Sequence, residues 1–321
     1  MTTLPDDRIC NISGVEVMSK IMNGKVNADI YCVNHQTITT YASNNGLDSI
    51  RDFFKKIKVG IKVIDESHKF FESTLMIDNF SNIYKSFYLT ATFTRSDVSE
   101  ASIFKKSFSS LVRFGEETQN NEEKRKHITF ILVYFKSKPE YGIAPNVKTN
   151  YGFSSYKYID YELGEENKTL IKVLHRIIDE TSHLEGKTMI LSPKKDSVDY
   201  IAKDISEYTG EEVGTIYSKN SISTNNENKN NKRYLSSTIK SSGEGTDIKG
   251  LRVLINLEPV ASKGLADQVR GRLREYDDEK DTFLFYPVDL TVEETCTMVK
   301  RILPVMRKKC KEVKILNLLN I

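Results

Sequence analysis

The chain has 321 residues, enough for two domains of ordinary size, and its 39% hydrophobic and 28% charged content is typical of a soluble globular protein. The sequence contains no apolar run of about 18 residues, so no membrane span is predicted. A formal net charge of +3 is too small to indicate a nucleic-acid partner by itself. The four cysteines lack metal-ligand spacing, so reduced intracellular thiols are expected.

The first part of the chain predicts the alternating helices and strands of an α/β fold. Its predicted elements are a strand around 8–12, a helix at 15–23, a strand at 28–33, a helix through about Tyr41, a helix at 47–58, and short buried strands at 61–64 and 86–89 with a helical stretch between them.

Polar side chains follow the last two of these strands at their carboxyl ends. Asp65, Glu66 and His68 follow the first, and Thr90-Ala91-Thr92 follows the second. In open α/β sheets ligands bind at this edge. Two carboxylates there suit Mg²⁺ binding through water and the activation of a nucleophilic water. A lone Asp-Glu pair is more often a charged surface loop, so the assignment depends on the motifs that follow.

The second part predicts another α/β alternation. We place a first domain at 1–125, a connecting segment at 126–165 that includes a strong strand at 128–135, and a second domain at 166–321. Predicted helices lie at 169–181, 195–208 and 264–274, strands at 188–191, 213–217, 234–239, 253–257 and 282–288, a solvated loop at 219–232, and a C-terminal helix, broken by Pro304, that ends near Lys311.

Two stretches of the second domain suit a phosphate-bearing ligand. The glycine-rich turn within 236–250 lets backbone amides approach a phosphate or ribose, and its Asp247 suits a sugar hydroxyl. Residues 268–274 read Gln-Val-Arg-Gly-Arg-Leu-Arg, with three arginines on a predicted helix that can present a fork to a triphosphate. Taken singly, these stretches are more typical of a glycine turn and of a basic surface.

In this order and spacing the motifs resemble those of superfamily-2 nucleic-acid helicases, in particular the UvsW-type helicases of large bacteriophages. Asp65–His68 match motif II, Thr90–Thr92 motif III, Gly245–Asp247 motif V and Gln268–Arg272 motif VI, while Asn34–Thr37 are similar to the motif that grips a nucleic-acid backbone. The resemblance covers nearly the whole chain. It implies an α/β fold of two RecA-like domains with mainly parallel sheets, the first N-terminally truncated.

The resemblance also implies roles for individual residues, with ATP and Mg²⁺ as cofactors. Asp65 would bind Mg²⁺ through water, Glu66 would activate the attacking water, and Gln268 and Arg272 would act on the phosphates, Arg272 as a finger on the γ-phosphate. The other implied contacts are His68, Gly245, Asp247 and Arg274 for the nucleotide, and Gln36, Thr37, Thr90, Ala91, Thr92 and Thr238 for nucleic acid and coupling. The usual second arginine of motif VI is replaced by Glu275, and Arg274 stands one position early.

The phosphate loop of this family, Gly-x-x-x-x-Gly-Lys-Thr, does not occur ahead of residue 61. Gly186-Lys187-Thr188 lacks the first glycine, since Thr181 stands there, and it leads into a predicted strand instead of following one. We therefore expect the loop to come from another chain. We also expect the missing phosphate-loop strand to belong between the strands that end at Asp65 and Thr90.

The resemblance implies an ATP-dependent helicase or translocase, hydrolysing ATP only when another chain supplies the phosphate loop. DNA is the expected nucleic acid, although these residues do not distinguish a DNA-binding protein from an RNA-binding one. The alternatives are a non-hydrolysing nucleic-acid-binding or assembly subunit of the same fold, and a nucleotide-binding regulatory protein without a nucleic-acid partner. No membrane partner is expected, and the expected location is the cytoplasm, of the host cell if the chain is viral.

Overall fold

The computed structural model describes residues 5–65, 67, 71–89, 102–103, 106–107, 126–137, 146–164, 167–241, 248–274 and 280–320. The chain folds as two compact units, Met1–Glu116 and Glu117–Ile321. None of the helices in the described part of the chain is long and apolar enough to cross a membrane.

The first unit contains two small parallel sheets, β1–β2 and β3–β4, with helices packed around a local core. Met18, Ile21, Ile50 and Phe53 are completely or almost completely buried in this core. The described elements of this unit, after a 3₁₀ turn at Asp6–Arg8, are β1 (Ile9–Ile12), α1 (Val15–Met22), β2 (Ile30–Val33), α2 (His35–Asn45), α3 (Asp48–Ile57), β3 (Ile61–Ile64), α4 (Phe71–Ser81) and β4 (Lys85–Tyr88). These bounds confirm the helices and strands expected here, with α2 running four residues beyond Tyr41.

The strands β3 and β4 pair directly, in register from Ile61↔Lys85 to Ile64↔Tyr88. The expectation of a phosphate-loop strand between them is therefore wrong. The expectation that both strands are buried is also wrong on one face, because Ile61, Val63 and Phe87 are 61%, 59% and 37% exposed. Both strands run parallel, so the carboxyl ends that carry the predicted motifs do lie side by side.

On the other face of β3–β4, Asp78 of α4 contacts one side chain from each strand. Lys62 forms an ion pair with Asp78, and Tyr88 Oη donates to Asp78 Oδ2 over 2.5 Å. Burial raises the pKa of Tyr88, and the bond to Asp78 raises it further. Tyr88 is therefore neutral at pH 7 and acts as a hydrogen-bond donor.

The second unit is built on a seven-stranded parallel sheet in the order β13-β5-β12-β11-β8-β10-β9. Its described elements are β5 (Ile128–Phe135), β6 (Lys148–Thr149), β7 (Gly152–Phe153), α5 (Ser155–Glu162), α6 (Thr169–Thr181), β8 (Lys187–Ser192), α7 (Lys195–Thr209), β9 (Val213–Ile216), α8 (Ile222–Asn231), β10 (Tyr234–Thr238), β11 (Leu251–Asn256), α9 (Lys263–Arg270), β12 (Thr282–Asp289), α10 (Glu293–Lys309) and β13 (Glu312–Leu318). The α/β class with a mainly parallel sheet is confirmed.

Both faces of this sheet carry a buried apolar layer, which is why its central strands are nearly continuous apolar runs. On one face Phe130, Leu191 and Leu254 pack with α9 and α10. On the other, Val133 and Ile255 pack with α6 and α7. Strand β5 pairs with β12 and β13, so residues 128–135, which we assigned to a connecting segment, form part of this sheet.

Helix α8 of the second unit differs from expectation. Residues 219–232 are not a loop, since α8 spans Ile222–Asn231, and it is held by polar contacts: Asn228 Nδ2 donates to Thr215 O (2.9 Å) and Lys187 Nζ to Asn230 O (2.9 Å). None of the α8 residues is buried, so its sequence carries no apolar stripe.

The C-terminal region differs as well. Helix α10 continues through Pro304 to Lys309, and a further strand, β13, follows it. The expected break at Pro304 is therefore wrong, and β13 was not predicted because its burial does not alternate cleanly.

Candidate nucleotide and nucleic-acid site

In the first unit, the carboxyl ends of β3 and β4 lie side by side. Asp65 follows β3 directly and is exposed. Leu89 N donates to Ile64 O (2.8 Å), and Ser67 N donates to Leu89 O (3.1 Å), so the segment after β3 lies beside the end of β4. An exposed carboxylate at a strand end is a suitable ligand for hydrated Mg²⁺. Glu66, His68 and Thr90–Thr92 lie outside the described residues.

The predicted backbone-gripping motif forms the start of α2. Asn34 is the N-cap and its Oδ1 accepts from Thr37 N at 2.7 Å, which satisfies one of the free amides of the first helical turn. The Thr37 side chain is buried, whereas Gln36 lies on the exposed side and bonds to Thr40 (Nε2 to Oγ1, 3.4 Å). Gln36 is therefore the member of this pair that is accessible to a ligand.

In the second unit, Thr238 and Arg272 come together at the carboxyl end of β10. Thr238 Oγ1 accepts from Ser241 N (3.0 Å), which turns the chain at the end of the strand. Arg272 Nη2 donates to the carbonyl of Ile239 at 3.2 Å. Burial lowers the pKa of Arg272 to about 10, so the guanidinium remains charged at pH 7. Gly245 and Asp247, which belong to the intervening turn, lie outside the described residues.

The three arginines of the motif VI stretch do not share one helical face, contrary to expectation. Helix α9 ends at Arg270, so Arg272 and Arg274 lie in the turn that follows, and Arg274 is exposed. Arg270 Nε instead pairs with Asp267 Oδ1 at 2.8 Å. Gln268 lies in the last turn of α9 and is partly buried. Arg272 is thus the arginine attached to the end of β10.

Asp267 anchors this helix and was missed by sequence reasoning. Burial tends to raise its pKa, but ion pairs with Lys309 (2.5 Å) and Arg270 outweigh burial and lower the pKa. The contact with Lys309 joins α9 to the last turn of α10 and so fixes the position of the turn that carries Arg272. Nothing in the local sequence distinguishes Asp267 from an ordinary surface carboxylate.

Helix α5 lies across the carboxyl ends of several strands of the sheet. Its partners each stand two residues beyond the last residue of β5, β11 or β8. The contacts are Tyr161 Oη donating to Ser137 Oγ (3.1 Å), Ser155 Oγ donating to Glu258 Oε1 (3.4 Å), and an ion pair of Asp160 with Lys194. These strand ends are therefore covered, whereas β10, where Thr238 and Arg272 lie, makes none of these contacts.

Two buried carboxyl groups, Glu162 at the end of α5 and Asp289 at the end of β12, lie close together. Asp289 ends β12 and accepts from the backbone N–H and the hydroxyl of Ser137 (3.1 and 2.5 Å). Glu162 is completely buried, and burial, followed by the neighbouring Asp289, raises its pKa well above its ordinary value. Burial therefore favours the protonated form of Glu162. Glu162 accepts from Asn167 Nδ2 (3.4 Å), which joins the end of α5 to the segment that leads into α6.

The triplet Gly186-Lys187-Thr188 does not form a phosphate loop. Strand β8 begins at Lys187, and the Lys187 ammonium donates to the last carbonyls of α8, including Asn230 O. Thr188 is buried in the sheet. Among the described residues, no group of three or more His, Cys, Asp or Glu side chains is placed to hold a metal ion.

No protein-family model and no curated protein sequence matches the chain. Among solved structures, S. cerevisiae Dbp5 bound to RNA and ADP BeF3 aligns with a TM-score of 0.56 and 14% identity over 91% of this chain and 66% of that chain. A variant of S. cerevisiae Dbp5 bound to the same ligands aligns with a TM-score of 0.58 and 14% identity over 98% of this chain and 79% of that chain. T4 UvsW has a TM-score of 0.45 at 14% identity, over 98% of this chain and 63% of that chain.

The likeness to the two Dbp5 structures shows that the chain has an α/β fold of the RecA-like kind. The chain spans just under two thirds of the first Dbp5 structure. The likeness at 14% identity concerns the fold, and the narrower resemblance to the UvsW type stays a prediction.

Proposed function

We propose that this chain acts in an ATP-dependent helicase or translocase of superfamily 2 that moves on nucleic acid, with DNA as the favoured substrate. The observation that carries the proposal is the contact of Arg272 with the end of β10, in which Arg272 Nη2 donates to the carbonyl of the residue that follows Thr238, at the carboxyl edge of a parallel sheet. The fold shared with Dbp5 structures that hold RNA and ADP BeF3 supports it.

In this proposal the two units divide the chemistry. Asp65 holds hydrated Mg²⁺ and Glu66 orients the attacking water. Arg272, with Gln268, stabilises the charge that develops on the γ-phosphate. ATP with Mg²⁺ supplies the phosphoryl group. Gly245, Asp247, His68 and Arg274 contact the nucleotide.

Gln36, Thr37, Thr90, Ala91, Thr92 and Thr238 serve the nucleic acid in this proposal, through contacts largely independent of base sequence. A phosphate loop supplied by another chain completes the nucleotide site. The proposed place of action is the cytoplasm, of the host cell if the chain is viral.

The first test is binding. A fluorescent single-stranded DNA and an RNA of the same sequence are titrated with the full chain at several salt concentrations. The logarithm of the affinity should fall linearly with the logarithm of the salt concentration, by about 0.7 per phosphate contacted. Absence of salt-dependent binding to both strands would contradict the proposal and favour a nucleotide-binding regulatory protein.

The second test is turnover. The chain alone should hydrolyse ATP about 10³-fold or more slowly than in the presence of a polypeptide carrying the phosphate loop, because a preorganised cradle contributes several kcal/mol in the transition state. Glu66→Gln should abolish the restored activity. Nucleic-acid binding without any restorable turnover would instead favour the alternative, a non-hydrolysing binding or assembly subunit of the same fold.

A further inference from the structure

A small hairpin and the helix that follows it form one rigid projection on the second unit. The hairpin β6–β7 is tied to α5 by hydrogen bonds from Ser154 N to Val147 O and from Lys157 Nζ to Lys148 O, both 2.8 Å. The rings of Phe153 and Tyr158 pack with centroids 5.8 Å apart, and Tyr158 is buried. The position of the hairpin is thus stabilised by side-chain packing and hydrogen bonds to α5, and not by its turn alone.

This projection exposes two aromatic rings. Tyr151 at the hairpin turn is 100% exposed, and Tyr156 in the first turn of α5 is 54% exposed. Two other tyrosines of α5 have a structural role: Tyr158 is buried, and Tyr161 donates a hydrogen bond to Ser137. Tyr151 is fully exposed and Tyr156 is more than half exposed, so both rings present surface to the solvent that the hairpin and its attachment to the sheet do not bury.

The turn itself does not require a tyrosine. Residues favoured at tight hairpin turns are glycine, asparagine, aspartate, serine and proline. Asn150 and Gly152, the latter with φ of +103°, already provide that chemistry on either side of Tyr151. The backbone of Tyr151 only donates its N–H to Thr149 Oγ1 (3.2 Å), which any residue except proline would do.

The position of the rings points to a partner. The projection continues into α5, which lies across the carboxyl ends of the strands, the edge at which Thr238 and Arg272 also lie. Lys157, which follows Tyr156 in the chain, is exposed and its ammonium donates to Lys148 O, while Lys148 is paired with Glu294 at 2.6 Å. Exposed aromatic rings on a surface that also carries cations are a suitable platform for the stacking of bases of a single strand.

We propose that Tyr151 and Tyr156 form a stacking platform for the bases of single-stranded nucleic acid. This inference rests on the proposed function and adds to it a contact with the bases, where the motif residues contact the backbone. The ligand is defined by its chemistry: unpaired bases, with little preference among them, because every base has a flat π-face.

The test compares two strands of equal length and charge, one with normal bases and one with abasic positions. The double variant Tyr151→Ala, Tyr156→Ala should bind the normal strand about ten-fold or more weakly than the wild-type chain does. It should bind the abasic strand as the wild-type chain does, with an unchanged salt dependence. Tyr151→Phe should bind normally, since it keeps the ring. Tyr84→Ala is the matched control, because Tyr84 is 94% exposed but lies in the first unit.

Each outcome decides the inference. Equal affinity of the double variant and the wild-type chain for the normal strand would overturn the platform and leave the proposed function intact. An equal loss on both strands would also overturn it, because the tyrosines would then act without bases. If the wild-type chain binds neither strand, the proposed function fails and the platform with it.

Discussion

Arg272 stands just beyond α9 and donates to the carbonyl of Ile239, which places it at the end of β10. If a polypeptide carrying the phosphate loop restores turnover, Arg272→Ala should lower turnover at least about 10³-fold and DNA affinity much less, because a finger on the γ-phosphate acts on charge in the transition state. Steady-state ATP hydrolysis and DNA titration on the same samples would measure both.

Arg274→Ala is the internal control for this measurement. Arg274 is exposed and stands one position earlier than the resemblance to motif VI would require, so its loss should affect turnover less. Arg272→Lys keeps the charge but not the planar fork, and it should remain impaired. A parallel loss of turnover and DNA affinity in Arg272→Ala would instead assign Arg272 to a basic nucleic-acid surface.

Glu162 should make the folded protein less stable as the pH rises. Because its pKa is raised in the folded state, the folded protein binds more protons than the unfolded chain once the pH exceeds the unfolded value of about 4.5. Stability is therefore fully present below that value and decreases as the pH rises through the folded pKa. Glu162→Gln, which stays neutral, should remove up to about 1.4 kcal/mol per pH unit of this decrease.

Urea unfolding of the second unit between pH 5 and 9 would measure this effect. Glu207→Gln is the control, since Glu207 is exposed and forms only a long 3.9 Å pair with Lys203. Identical pH profiles for the wild-type chain and Glu162→Gln would show that the pKa of Glu162 is not raised in the folded protein.

At the scale of single elements, α10 contains a proline in its interior. Pro304 is exposed and lacks the N–H that would bond to the carbonyl of Lys300, yet the helix continues to Lys309. Pro304→Ala should stabilise the second unit by about 1–2 kcal/mol, less than the full helical penalty of proline, because the unfolded chain also gains freedom. Thermal unfolding would measure the change.

Arg301→Ala, an exposed substitution in the same helix, should change stability by less than about 0.5 kcal/mol. A loss of stability in Pro304→Ala would indicate that α10 needs the local geometry imposed by the proline, for the packing of Ile302 and Met306 against the sheet.

The elements predicted well from sequence are those whose buried side chains form a regular pattern of apolar residues. The amphipathic α6 and the strands β8 and β11 were placed within two residues because their buried side chains define a period or a continuous run. Helix α8 was missed because polar contacts alone hold it, and residues 271–274 were taken as helix because no proline marks the end of α9.

For the candidate site, sequence predicted that β3 and β4 end at the same edge, but it wrongly expected a further strand between them. It did not predict the contact of Arg272 with Ile239, the anchoring of α9 through Asp267 and Lys309, or the cover formed by α5. These contacts join residues that are distant in sequence, and such pairings leave no local pattern. A motif predicts which side chains could act on a ligand, but it does not predict the contacts that hold those side chains in position.

At the scale of the whole chain, the two units differ in how completely their sheets are covered. The second unit buries both faces of seven strands, whereas the first is described by two-stranded sheets, which are marginal in water unless they pack against a helix. The face of β3–β4 that carries Ile61, Val63, Phe87 and Leu89 is exposed by 37–61%. The first unit should therefore open locally far more often than the second.

Hydrogen exchange on the full chain would test this difference. Amides of residues 188–191 and 253–257 should exchange slowly, and those of residues 63–64 and 87–89 should exchange quickly, because small exposed sheets open with little loss of buried surface. Residues 50–54 of α3 are the internal control, since their core side chains are buried and slow exchange there would show that β3–β4 opens locally while the first unit stays folded. A polypeptide carrying the phosphate loop should slow exchange in β3–β4 if it binds there. Equal protection of β3–β4 and the central strands of the second unit would contradict this account, because the exposed face would then have to be stabilised in some other way.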